Sequence, residues 1–339
     1  MKRFKSYMLV LIIITILTYT VGCSKKTDEI IAEPVTTKLQ VVTSLFPQYD
    51  FVREIGKDRV EVSLLLPPGV ESHSYDPTPR DVVNIQKADV FIYTGEYMEP
   101  WAHRVIDITK GEEVLIVESG KGIELMDEDD HLHHEEDNHN HHDHHDEEEV
   151  DEGEEEDHHH GGKDPHIWVD PLNAQIMVDN ILEGLVTADP ENESFYKENA
   201  EEYKERLNQL HNKFTETFQK TEYNTIMYGG HFALGYFTKR YNLDHISPYS
   251  GFAPDAEPTP QRISDLIKTI NSTGIKVIYY EELIDPKVAR VISEQTGAEM
   301  MLLHAAHNIS KDELEAEVSY ISIMEDNLEK LKIGLGYRE

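Results

Sequence analysis

The chain has 339 residues, 66 of them acidic against 31 basic, for a formal net charge of −35. A surface this acidic argues against nucleic-acid binding and for attraction of cations. The single cysteine excludes an internal disulfide and any paired-cysteine zinc site.

Read from the start, Lys2, Arg3 and Lys5 precede an apolar run over 8–17 that only Thr15 interrupts, and Gly22 then precedes Cys23. A basic start, a short apolar stretch and a small residue make an export signal, and the run is too short for a membrane span of about 20 residues. Cys23 just beyond it resembles a bacterial lipoprotein cleavage site, although Thr20 stands where such sites usually carry Leu. The expected partition begins with a signal at 1–22, followed by a lipid-anchored tether at 23–37.

Apolar, β-branched-rich runs follow at 39–45, 60–66, 89–93 and 114–117, and again at 225–228, 275–280 and 300–303, most of them leading into helical segments. Such runs alternating with helices predict an α/β fold of parallel sheets covered on both faces. The strands fall into two groups. We expect a first lobe over 38–170, a helical linker over 171–220 and a second lobe over 221–339. Asp170-Pro171 places an N-cap before a proline at the first helical position. Tyr196, Tyr203, Leu207, Leu210 and Phe214 recur at helical spacing in a long polar helix over about 194–220.

Within the first lobe lies a loop, 127–164, of a different kind. Between Asp127 and His160 stand 11 histidines and 18 acids with no lysine or arginine. It has almost no apolar surface to bury and a large self-repelling charge, so it cannot build a core. It can hold metal ions loosely through imidazoles set among carboxylates: His131, His133, His134, His139, His141, His142, His144, His145, His158, His159 and His160. Its end stays within roughly 20 Å of His166 even when fully extended.

Three further histidines follow predicted strands. His73 lies beyond the run ending at Leu66, His231 in Gly229-Gly230-His231-Phe232, and His307 beyond Leu303. His166, in Asp164-Pro165-His166-Ile167-Trp168-Val169-Asp170-Pro171, stands ahead of a helix start. Ligands of open α/β sheets bind beyond the carboxyl ends of strands. Four imidazoles suit zinc in a closed tetrahedral site with Zn–N distances of about 2.0–2.1 Å. Closed coordination points to binding, because a catalytic zinc keeps an open position. His103 and His211 read as surface residues, His245 as structural, and His304 as close enough to exchange roles with His307. Trp101 and Trp168 read as packing residues.

The segments at His73, His166 and His231, together with Gly251-Phe252-Ala253-Pro254-Asp255-Ala256-Glu257-Pro258-Thr259-Pro260, resemble the zinc-binding solute-binding lipoproteins of ABC importers, a group that also contains manganese binders. The likeness spans about residues 38 to 335. It implies two α/β lobes joined by one long helix, one metal ion between them, and an acidic His-rich loop ahead of the second ligand. It also implies His73, His166 and His231 as ligands. Many zinc members carry a carboxylate at the fourth position, where this chain has His307; Glu281 and a water are the competitors. An all-imidazole site calls for carboxylates behind the rings, and Glu71, Asp76, Asp170 and Glu257 are the candidates.

The function this implies is a membrane-tethered, monomeric extracytoplasmic receptor that is not an enzyme. It would deliver Zn2+ to a cognate ABC permease, with the loop aiding capture. A surface adhesin, or a receptor for manganese or another divalent ion, is the alternative on the same scaffold. Three or four nitrogen donors favour zinc over manganese, a harder ion that prefers oxygen.

Overall fold

The computed structural model describes residues 38–127, 162–249 and 258–339. Cys23, all eleven tract histidines and residues 250–257 lie outside the described residues. Residues from Lys38 onward cluster into one compact unit.

The first half is a four-stranded parallel sheet. Its strands are β1 (Leu39–Thr43), β2 (Val60–Leu64), β3 (Val90–Tyr93) and β4 (Leu115–Glu118), in the order β2-β1-β3-β4. The helices α1 (Phe46–Gly56), α2 (Pro79–Lys87) and α3 (Ala102–Thr109) make the crossovers. Val90, Phe91 and Ile92 of the inner strand β3 are fully buried, as expected of a strand covered on both faces.

The second half repeats the plan. The strands β5 (Thr225–Met227) and β6 (Asp244–Ile246) pair in parallel, as do β7 (Val277–Tyr280) and β8 (Glu299–Leu302). A single bridge, Tyr228 to Tyr279, aligns the two pairs. The short helix α6 follows β5 at Gly235–Tyr241, while α7 (Pro260–Thr273), capped by Thr259, and α8 (Lys287–Thr296) follow later.

Two helices lie between the halves. The α4 helix (Pro171–Ala188) starts where the sequence predicts, with the Asp170 carboxylate accepting from Leu172 N–H at 2.9 Å. It packs on β3 and β4. The α5 helix (Glu193–Phe218) packs both on α1 and on the last helix, α10 (Tyr320–Gly334). Tyr196, Ala200, Tyr203, Leu207, Leu210 and Phe214 form its buried stripe. A short helix, α9 (Lys311–Glu315), precedes α10. Among the described residues no helix is long and apolar enough to cross a membrane.

Candidate metal centre

The loops beyond β2, β5, β7 and β8 meet at one place, joined by the segment ahead of α4. His73, His231 and His307 each lie beyond the carboxyl end of a strand, where ligands of open α/β sheets bind. The Nε2 atoms of His73 and His166 lie 3.1 Å apart. Two nitrogens sharing one tetrahedral zinc at about 2.0–2.1 Å would be separated by about 3.3–3.4 Å, so the pair is within a few tenths of an ångström of that geometry. The ring of His307 lies 4.8 Å from that of His166 and 5.7 Å from that of His73, centroid to centroid. Ligating atoms of His73, His166 and His307 all fall within 4.8 Å of one another.

His231 stands beside this triplet and outside its tightest grouping. Its ring is 5.4 Å from those of both His73 and His166. The Nε2 atoms of His231 and His307 are buried and have no hydrogen-bond partner. Buried polar atoms left in that state are costly unless a partner such as an ion supplies the missing contact. The opening lined by His73, His231, Glu281 and His307 encloses about 20 Å³, room for one ion or water and not for an organic solute.

Carboxylates stand behind three of the rings. Asp164 Oδ1 lies 2.7 Å from His166 Nδ1 and also accepts from its backbone N–H at 2.9 Å. Glu281 Oε1 accepts from the His231 N–H at 3.0 Å, and its other oxygen lies 3.6 Å from Nδ1 of that ring. A side chain at Gly230 would place its Cβ 2.8 Å from the Glu281 carboxylate, so glycine is what allows this approach. Glu282 Oε1 lies 3.0 Å from His307 Nδ1. For His166 and His307 the acceptor on Nδ1 fixes the proton there and leaves Nε2 free for an ion.

The electrostatics follow from burial and these partners. Burial, then the neighbouring His307 and His231, push the His73 ring down to about 2, so it is neutral at any ordinary pH. Burial also disfavours a proton on His307. The hydrogen bond and charge of Glu282, with Glu281 and Glu71 farther off, outweigh that and hold the ring above its ordinary value. Burial raises Glu282 as well, yet His304 and His307 draw it well below the usual carboxylate range. Asp164 is pushed up to about 7 by burial, against the pull of the His166 amide and His307.

The expected supporting carboxylates are corrected here. Glu71 accepts from the backbone N–H groups of His73 and Ser74 at 2.7 and 2.8 Å, and so shapes the loop without touching the ring. Asp76 pairs with Arg104 at 2.6 Å, and Asp170 caps α4 and pairs with Arg240 at 2.7 Å. Glu257 lies outside the described residues. Asp164, Glu281 and Glu282, in place of Glu71, Asp76 and Asp170, are the carboxylates beside the rings. Asp164 could have been found, standing two residues before His166; Glu282 needed β7 and β8 to be known as neighbours.

His304 is committed elsewhere. Its Nδ1 accepts from Ala306 N–H at 2.9 Å and its Nε2 faces Glu313, 3.7 Å away. His103 is exposed beside Glu96, His211 sits against the Tyr241 hydroxyl, and His245 stacks on Phe232. Trp168 is fully buried, with its ring edge-on to His166 and His307. The two ends of the acidic tract are clipped together by the Lys163–Asp127 ion pair and by Asp164 N–H donating to Met126 C=O at 3.0 Å. The tract therefore joins the fold two residues from His166.

Residues 41–334 match the family model for the zinc-uptake complex component A, periplasmic. The chain belongs to that family. It is 35% identical to the high-affinity zinc uptake system protein ZnuA of Bacillus subtilis, over 98% of both chains. A zinc-binding protein AdcA of Streptococcus pyogenes is 31% identical over 87% of this chain, which spans only 56% of that longer protein. Among solved structures, the Zn(II)-bound ZnuA-like domain of Streptococcus pneumoniae AdcA superposes with a TM-score of 0.70 at 27% identity, covering 88% of this chain and 99% of that one. The two-lobe α/β architecture expected from the strand pattern is thus the family's own.

Proposed function

We propose that this chain is the extracytoplasmic zinc receptor of an ABC importer, binding one Zn2+ between its lobes through His73, His166, His231 and His307 and passing it to a cognate permease. The observation that carries the reading is the convergence of four imidazoles from four separate stretches of chain, with the rings of His166, His231 and His307 each within 5.7 Å of the ring of His73. Nitrogen donors suit zinc better than manganese. Uptake, rather than attachment to a host surface, is what the family match favours. The ion is bound and released unchanged, since four protein ligands leave no position for a reacting water. Glu281 is read as a support for His231 and not as a ligand, with Oε1 accepting from the His231 amide and Oε2 lying 3.6 Å from Nδ1 of that ring.

Cys23 carries the lipid that tethers the protein to the membrane, and the tether at 23–37 spaces a monomeric receptor from the surface. The partition into lobes at 38–170 and 221–339, with helices over 171–220 between them, gives the ion a cleft to enter. The histidines of the tract collect ions at low affinity beside that cleft. Titration of the purified protein with zinc against a chromophoric chelator tests the reading. One tight site is expected, reduced to the weak loop sites in His73→Ala. Tight binding that survives His73→Ala would place the ion elsewhere.

A further inference from the structure

The segment 304–309 joins the two halves of the molecule in an alternating pattern. The backbone carbonyls of Ala305, His307 and Ile309 each accept a hydrogen bond from the first half: Trp168 Nε1–H at 2.7 Å, Phe46 N–H at 3.3 Å and Gly69 N–H at 2.9 Å. The N–H groups of Ala305 and His307 point the other way, donating to Glu282 at 2.9 and 3.3 Å. Between them Ala306 takes a left-handed backbone, φ +58°, a strained conformation for a residue other than glycine. Asn308 completes the strut. It is fully buried, and its amide donates to the carbonyls of Pro67 and Val70 at 2.8 and 2.9 Å while its oxygen accepts from Ile309 N–H at 2.9 Å. Pro67 and Val70 belong to the loop that carries His73.

His307 is therefore carried by the second half of the chain but anchored to the first. That explains why His73, His166 and His307 form the tight group and His231 stands beside it. We propose that Asn308 is a positioning residue that holds His307 against His73 before any ion arrives. The three rings then form a ready-made seat, and His231 is the ligand that closes last. This inference rests on the zinc-receptor reading and deepens it.

Stopped-flow zinc binding, with Co2+ absorption as a second readout, tests the order of engagement. In His231→Ala the association rate stays within about twofold of the parent, while release accelerates by about a hundredfold, because the seat is intact and only the closing ligand is gone. In Asn308→Ala association slows by about tenfold or more, and the Co2+ spectrum loses tetrahedral intensity in a chain whose circular dichroism is unchanged. Trp168→Phe, which keeps an aromatic ring but removes the bond to Ala305, shifts association in the same direction and serves if Asn308→Ala fails to fold. Parent-like rates in the folded Asn308 variant, or association slowed as much by His231→Ala as by His307→Ala, would overturn the proposal. An unmutated protein without a tight zinc site would instead refute the receptor reading itself.

Discussion

Glu282 Oε1 lies 3.0 Å from Nδ1 of His307, and the same carboxylate accepts from the backbone N–H groups of Ala305 and His307. One buried side chain thus shapes the turn, fixes the tautomer of the ring it carries, and returns a negative charge to a centre built of neutral imidazoles. Replacing it with Gln keeps an acceptor near Nδ1 but removes the charge. Zinc affinity in Glu282→Gln should fall by about 10–100-fold with one-to-one stoichiometry retained. A competition titration reads this directly, and unchanged affinity would show that the charge is irrelevant to the site.

Acid should weaken binding through His307. Its pKa is raised above the ordinary imidazole value, so in the ion-free protein Nε2 takes up a proton below a pH that lies above about 6.5. Zinc must displace that proton, so affinity falls as pH drops through that region, by up to about one log unit per pH unit. His73, held down to about 2, takes up no proton in this range. Zinc titrations from about pH 8 to about 5.5 should show the decline, whereas a flat profile would contradict imidazole ligation.

How much of this was legible in the sequence depends on how local each signal is. Seven of the eight strands among the described residues stood out as apolar, β-branched-rich runs. The missed one, β6 (Asp244–Ile246), has three residues, no strand of its own in the pattern, and exists through pairing with β5. The four histidines were visible because each marks a strand end or a helix start. The partners of their rings were harder to see. Glu282 and His307 are 25 residues apart and meet only because β7 and β8 are adjacent, while Asp76 and Asp170, plausible by proximity in the chain, are taken by Arg104 and Arg240.

Glu99 offers a test of stability away from the site. Burial pushes its carboxyl up to about 7, against hydrogen bonds from Ser44, Thr94 and Gly95, and it is only 2% exposed. The folded form holds the proton where the unfolded chain, with an ordinary carboxyl at 4.5, has released it. Stability from this group is therefore present at low pH and lost as pH rises toward 7, by an amount on the order of 3 kcal/mol. Glu99→Gln should flatten that part of the profile in ion-free protein, as followed by chemical denaturation. An identical pH slope in the variant would refute the assignment.

Removing residues 128–160 should separate capture from tight binding. The Asp127–Lys163 clip is kept, so the ends of the loop remain joined beside Asp164 and His166. Zinc acquisition by cells at scarce zinc should decline, while the single tight site persists in the purified protein. Loss of the tight site would mean that the tract supplies a ligand to it.

X-ray absorption and anomalous scattering at the zinc edge, on crystals of the zinc-loaded protein, address the central claim most directly. The account predicts one ion with four nitrogen neighbours at about 2.0–2.1 Å, from His73, His166, His231 and His307. An ion lying elsewhere, or a refined structure in which those rings turn away from a common point, would contradict it.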